Sequence, residues 1–240
     1  MLTIQSISTG FHESNILHTQ LSFQLEQGEI LLLVGTNGIG KSILLKTILG
    51  HLNPIKGSVF LGDNNIHQLD HSSRASLISL MLATPPQIEY MNGLEVAITG
   101  RQRFLSQWDK TQTYHEEIVL KFAKQFQMES ILFKQFSKMS DGEKQKIMFI
   151  RCLLQETPLI LLDEPLAFLD YPSKYHFLEQ LHEHCQSTGA MAIISSHEIE
   201  LTQKYSQKLL WLTQNGKSEW FVDPNKFNPE FWIQNELFLK

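Results

Sequence analysis

The sequence predicts an α/β protein built on a mostly parallel sheet, and three observations predict it. The runs Glu29 to Val34 and Leu159 to Asp163 are too apolar on both alternating sides for surface strands, the pattern of strands covered on both faces. A glycine-rich stretch follows the first run at once and leads into a helical pattern. A helix-length segment from about 172 to 187 then separates the second run from a third, Met191 to Ser195, which is the strand, helix, strand rhythm of a parallel sheet.

Taken in order, the chain opens with alternation at Leu2, Ile4 and Ile7 and again at Leu21, Phe23 and Leu25. These read as two half-buried strands, with Gly10 and the polar stretch His12 to Asn15 between them. After the Glu29 to Val34 strand, residues 41 to 50 read as a helix ended by Gly50. Asn53-Pro54 to Lys56-Gly57 is a turn into the short strand Ser58 to Leu61. Another strand spans Ile78 to Ala83 and is broken by Pro85-Pro86. The composition then shifts: from about 93 to 157 there are helical periods such as Ile118, Phe122 and Phe126 and no convincing strand, so this stretch reads as a helical insertion. Near the end, Lys208 to Thr213 and Ser218 to Val222 flank Gln214-Asn215-Gly216, where Asn-Gly signals a hairpin. The segment from Trp220 to Lys240 carries Trp220, Phe221, Phe227, Phe231, Trp232 and Phe238, and is expected to pack back on its own domain.

A length of 240 residues suffices for a self-contained core. Hydrophobic residues make up 42% and charged residues 19%, which excludes collagen-like, low-complexity and disordered classes. With 20 Lys and Arg against 25 Asp and Glu, the formal charge of -5 gives no basic field for nucleic acid, and none is expected as a partner. No apolar run approaches the ~20 residues of a spanning helix, and the start MLTIQSISTG lacks the basic residue of a secretory signal, so synthesis is expected to leave the chain in the cytosol. Cys152 and Cys185 lack metal or redox spacing and read as packed, reduced thiols.

Gly35-Thr36-Asn37-Gly38-Ile39-Gly40-Lys41-Ser42 matches G-x-x-x-x-G-K-[ST] between a buried strand and a helix start. Glycines let backbone N–H groups turn toward phosphate oxygens, and the helix N-terminus adds its positive end. Lys41 can reach the β and γ phosphates and Ser42 can ligate Mg²⁺. The partner carboxylates stand at the end of the second buried strand: Asp163 suits the metal, and Glu164 can point at a water attacking the γ-phosphate. Further along, Ser140-Asp141-Gly142-Glu143-Lys144-Gln145 opens a helical run. Ser140 and Glu143 form a capping box there, and the same helix start presents free N–H groups to an anion.

With these motifs in this order, the chain resembles the nucleotide-binding subunits of ABC transporters over nearly its whole length. Residues 35 to 42 are similar to Walker A, Gln87 after Pro85-Pro86 to the Q-loop glutamine, and Ser140 to Gln145 to the signature in its S-D-G-E form. Asp163 and Glu164 resemble the end of Walker B, Leu166-Ala167-Phe168-Leu169-Asp170 the D-loop, and Ser195-Ser196-His197-Glu198 the switch histidine segment. The resemblance implies a P-loop NTPase (RecA-like) core with an antiparallel β subdomain and a helical subdomain. It implies one such domain over residues 1–240, with the helical subdomain at about 88–157 and a C-terminal tail at about 220–240.

It also implies roles. ATP and Mg²⁺ are the cofactors, held by Gly35, Thr36, Asn37, Gly38, Ile39, Gly40, Lys41, Ser42 and Ile43, with Ser42, Gln87 and Asp163 around the metal. Gln87 senses Mg²⁺ and links the site to the membrane partner, and His197 contacts the γ-phosphate. Ser140, Gly142 and Glu143 belong to the signature that meets the γ-phosphate held by the opposite chain, so two ATP molecules are sandwiched in a head-to-tail homodimer. Phe11 is the candidate for stacking on adenine, with His12 the alternative. Three positions depart from the usual pattern: Asp141 for a glycine, Ile43 for a threonine and Ala167 for a serine. The last puts in doubt a hydroxyl contact across the dimer.

The signature together with Glu156-Thr157-Pro158 to Tyr171-Pro172 is most similar to importer ATPases for iron-siderophore complexes, haem and cobalamin. The implied partners are integral-membrane permease subunits and, through them, a substrate-binding protein. The implied location is the cytoplasmic face of the membrane. A soluble ABC ATPase of DNA repair or translation is the competing class, against which stand a single Walker A and the lack of sustained heptads.

Overall fold

The computed structural model describes residues 1–12, 15–104, 112–214, 216 and 218–228. Strands β1 (Leu2–His12) and β2 (Asn15–Leu25) pair antiparallel, with Leu2 opposite Leu25 and Ile4 opposite Phe23. His12 and Asn15, the ends of the polar stretch expected to separate them, are themselves paired strand residues. β1 continues through Gly10 to His12, because Gly10 lies so close across from β2 that an added Cβ would stand 2.2 Å from the Asn15 carbonyl oxygen. Ser6 (φ 47°) and Gln20 (φ 53°) bulge the two strands, and each bulge moves the inward positions by one residue.

Next come β3 (Ile30–Val34), α1 (Lys41–Ile48), β4 (Lys56–Leu61) and β5 (Asn64–Asn65). Strand β4 pairs with β1, so β2-β1-β4-β5 form one antiparallel sheet. Helix α2 (His71–Leu77), which no apolar period announced, is capped by Asp70 and buries none of its residues. It leads into β6 (Ile78–Met81), two residues shorter than expected.

The stretch read as a helical insertion holds α3 (Gly93–Ile98), α4 (Gln112–Gln125), α5 (Glu129–Leu132) and α6 (Asp141–Leu153), with a single isolated bridge, Asn92 to Gln135, among its described residues. The chain ends its described part with β7 (Leu159–Asp163), α7 (Tyr171–Thr188), β8 (Met191–Ser195), α8 (Ile199–Gln203), β9 (Lys208–Leu212) and β10 (Ser218–Phe221). The second sheet runs β10-β9-β3-β8-β7-β6, parallel except for the β9–β10 hairpin.

Two cores explain why the central strands are apolar throughout. Ile30, Leu32 and Val34 of β3, Ile160 and Leu162 of β7, and Ala192 and Ile194 of β8 face a core shared with α3, α4, α6 and α7. Leu31, Leu33, Leu159, Leu161, Met191 and Ile193 face the other way, onto α1 and the antiparallel sheet. Period-2 alternation therefore delivers an apolar side chain to each face.

The aromatic tail divides at the limit of the described residues. Trp220 stacks on Phe23 with ring centres 5.2 Å apart, and buried Phe227 packs against Trp211 and Phe221. That part folds back on the domain as expected; Phe231, Trp232 and Phe238 lie outside the described residues. Both cysteines are buried and unpaired. Burial pushes the Cys152 thiol up to about 11, although Ser79 lies within hydrogen-bond reach, and the Cys185 thiol up to about 12, so neither supplies a thiolate.

Candidate functional site

The carboxyl ends of β3, β6, β7 and β8 open onto one edge of the parallel sheet, where ligands of such folds bind. Beyond β3 the chain turns through Gly35 to Gly40, with Gly38 at φ 78° and Gly40 at φ 106°, a region that favours glycine. Space excludes a side chain at Gly40 as well, since an added Cβ would stand 2.9 Å from both His18 Cε1 and Leu17 Cδ1. Asn37 and Gly38 are exposed at the tip of the turn. Gly40 then caps α1, whose first residues are Lys41, Ser42 and Ile43.

Lys41 is 7% exposed and its Nζ donates to the Gly35 carbonyl oxygen at 2.9 Å. It also lies 3.3 Å from His197 Nε2 and 3.3 Å from Glu164 Oε1, and His197 Nε2 is 3.1 Å from that same oxygen. Three side chains, from the start of α1 and from just beyond the ends of β7 and β8, thus meet at one point. A buried ammonium needs a counter-charge, and Glu164 supplies it. Glu164 Oε1 is itself buried and makes no hydrogen bond.

Glu164 adopts φ 46°, an uncommon conformation for a residue other than glycine. Ser195 holds it there: its Oγ accepts from the Glu164 N–H at 2.9 Å and donates to Asp163 Oδ1 at 2.9 Å. One hydroxyl therefore ties the end of β7 to the end of β8. Asp163 is 6% exposed. Together with the Ser42 hydroxyl it forms a set of hard oxygen donors, the chemistry that suits Mg²⁺. No cluster of three or more His, Cys, Asp or Glu among the described residues could hold a metal alone.

None of the remaining expected residues shares a hydrogen bond or ion pair with Lys41, Glu164 or His197 among the described residues. Gln87 follows β6 and is exposed, and Phe11 on β1 is 60% exposed; the His12 side chain lies outside the described part. Ser140 caps α6 by accepting from the Glu143 N–H at 3.2 Å, while Glu143 Oε2 accepts from the Ser140 N–H at 2.7 Å and from Lys134 at 2.7 Å. The Lys134 ammonium, followed by the Ser140 N–H, holds the Glu143 carboxyl below the usual carboxylate range. An added Cβ at Gly142 would stand 2.7 Å from the Phe168 carbonyl oxygen, so glycine lets the turn after β7 pass close. An open cleft of about 420 Å³ is lined by Ser140, Gly142, Lys146, Phe168 and Ser173. Among the described residues no hydrogen bond or ion pair joins this cleft to Lys41.

Two contacts were not anticipated. Lys174 of α7 pairs with Glu198, the residue after His197. His18 is fully buried beneath the glycine turn and bonded to Thr9. The bulge at Gln20 hides His18 from the alternation of β2, because inward positions run Leu25, Phe23, Leu21 and then His18.

Comparison with known proteins places this geometry. Residues 18–167, more than half of the chain, match the family described as ABC transporter. An uncharacterized ABC transporter ATP-binding protein of Methanocaldococcus jannaschii is 31% identical over 238 residues, covering 99% of this chain and 81% of the relative. The achromobactin transport ATP-binding protein of Dickeya dadantii is 28% identical over 212 residues, covering 87% and 77%. A solved structure described as an inward-facing conformation of a putative metal-chelate type ABC transporter superposes with a TM-score of 0.81 at 24% identity, covering 99% of this chain and 88% of that one. The chain belongs to the ABC transporter family: it has the P-loop ABC ATPase fold and is an ATPase.

Proposed function

We propose that this ABC ATPase is the ATP-binding subunit of an importer and works as a head-to-tail pair of copies on the cytoplasmic face of a membrane. The observation that carries this reading is the division of the site. Lys41, Glu164 and His197 converge within 3.3 Å of one another, while Ser140 and Gly142 line a separate open cleft. A γ-phosphate between two copies satisfies both.

In this reading the turn from Gly35 to Gly40 and the start of α1 hold the phosphates through backbone N–H groups. The phosphate replaces Glu164 as the counter-charge of Lys41. Glu164, freed, orients a water toward the γ-phosphate, with Ser195 fixing its backbone; His197 and the opposite copy's Ser140 and Gly142 stabilise the charge that develops. Ser42 and Asp163, with Gln87, would hold Mg²⁺, which would supply positive charge against the phosphate oxygens. Phe11 stacks on adenine. The helical part at about 88–157 and Gln87 face permease subunits. Membrane crossing falls to those partners, because no helix among the described residues is long and apolar enough for it.

For cargo, the resemblance of the signature sequence supports an iron-siderophore, haem or cobalamin-type compound, as does the achromobactin relative. Subunits named for phosphonate and zinc import are comparably similar, at 30% and 27% identity. The decisive experiment tags the Glu164→Gln chain, expresses it in its own host, solubilises membranes with ATP present and identifies what co-purifies. Recovery of a many-span membrane protein is expected, and its binding protein then gives the cargo. Recovery only from the soluble fraction, with ribosomes or DNA, overturns the transport reading.

A further inference from the structure

His18 is enclosed on three sides. Its ring nitrogen Nδ1 lies 2.7 Å from Thr9 Oγ1, and Thr9 is its direct cross-strand partner on β1. The neighbouring Thr19 donates from its backbone N–H to the Gly216 carbonyl oxygen at 3.0 Å and from its hydroxyl at 3.2 Å, so the tip of the β9–β10 hairpin clamps β2 here. The fourth side is the glycine turn. The ring edge lies against Gly40, with Cε1 and Nε2 at 2.9 and 3.4 Å from where a Cβ would stand. Nε2 is buried and makes no hydrogen bond, it faces the turn at Gly40, and the Ile39 backbone acts on the ring so as to raise its pKa against the effect of burial.

Burial lowers the His18 pKa to about 4, so at neutral pH the ring carries one N–H. The Thr9 hydroxyl can donate or accept, whereas the Ile39 backbone, which raises the ring's pKa, acts on it as an acceptor. The tautomer that satisfies both sides has the proton on Nε2 and Thr9 donating to Nδ1. A buried N–H left unpaired costs free energy, and a hydrogen bond from Nε2–H to the Ile39 carbonyl would recover it. That carbonyl and the Gly40 N–H belong to one trans peptide and point in opposite directions. A carbonyl held down on His18 therefore aims the Gly40 N–H outward, to the side where a phosphate binds.

We propose that His18 is a positioning residue of the nucleotide site, holding the Ile39–Gly40 peptide in its phosphate-accepting orientation before nucleotide arrives. The inference rests on the ATP-binding reading above. It makes affinity, and not turnover, the quantity His18 sets, because the interaction is the same in ground and transition states. A loop that is competent only part of the time binds more weakly by that fraction.

The test compares the full-length parent with His18→Leu, which keeps bulk and loses both nitrogens, and with His18→Gln, which restores an N–H. Dissociation constants for ATP and ADP are measured by calorimetry at pH 7.5, kcat at saturating ATP, and the Gly40 amide by NMR. His18→Leu is expected to weaken both nucleotides at least fivefold, to leave kcat within twofold and to shift the Gly40 resonance. His18→Gln is expected to recover affinity to within twofold. If His18→Leu does not fold, Thr9→Val, which unlocks the ring, must show the same loss and Thr9→Ser must not. Val59→Ala, a cavity in the same apolar core away from the loop, controls for destabilisation and must leave affinity unchanged. A parent that binds ATP beside a His18→Leu chain that binds it equally well overturns the inference alone. A parent that binds no nucleotide overturns the ATP-binding reading with it.

Discussion

The two regions that carry the nucleotide chemistry of this chain are built on opposite plans. Around the glycine turn, Lys41, Asp163 and Glu164 are buried or half-buried and matched inside the chain: Lys41 pairs with Glu164 and bonds Gly35, and Ser195 ties Asp163 to Glu164. At the Ser140 turn the groups are solvated, and the hydrogen bonds of the turn serve the start of its own helix. A ligand entering the first region must displace internal partners. A ligand reaching the second only docks on a surface that is already shaped. The difference teaches that binding rearranges one half of the site and leaves the other as it stands.

The largest effect that can break this contrast is on turnover. Glu164→Gln removes both the proposed water-orienting group and the internal counter-charge of Lys41, so hydrolysis is expected to fall by roughly 10²–10⁴-fold while ATP affinity holds or improves. A coupled phosphate-release assay and calorimetry measure the two. Near-normal turnover moves the role of base elsewhere, and weaker ATP binding contradicts the displacement argument.

The next effect is on stability against pH, and it belongs to the buried region. His18 titrates near 6.5 when unfolded and near 4 when folded, because burial disfavours its cation. The unfolded chain therefore takes up the proton first as pH falls. Stability is complete above about pH 6.5 and declines toward pH 4, by about 3 kcal/mol from this group. Urea unfolding at pH 7 and pH 4.5 should show the decline, and His18→Leu should flatten it. Burial lowers the pKa of His184 as well, so part of the slope will persist.

Smaller effects lie in the solvated region. Ser140→Ala removes an N-cap and should cost about 1 kcal/mol, read as a lowered melting temperature. ATP affinity of the separate chain should stay the same while ATP-driven dimer is lost in sizing experiments. A drop in that affinity would show the two regions to be one. Lys134→Ala breaks an exposed pair with Glu143 and should shift stability by only a few tenths of a kcal/mol, within reach of replicate urea titrations.

Much of this is legible in the sequence. The central strands announce themselves because β3, β7 and β8 are buried on both faces, and the glycine turn because strand, loop and helix occur in sequence. What was not legible has physical causes. Helix α2 buries no side chain, so no apolar period marks it. The bulges at Ser6 and Gln20 reset the alternation of β1 and β2, which concealed Thr9 and His18. The meeting of Lys41, Glu164 and His197 joins ends of strands far apart in the chain; only the family resemblance pointed to it, and it gave no distances.

The two cysteines also have a practical consequence. With both thiols buried and held far from ionisation at neutral pH, the native chain should be nearly inert toward maleimide reagents. A single cysteine introduced at exposed Asp141 can then be labelled selectively without first removing the native ones. Spin-label distances between two copies, with and without ATP, become directly measurable in the otherwise unaltered sequence.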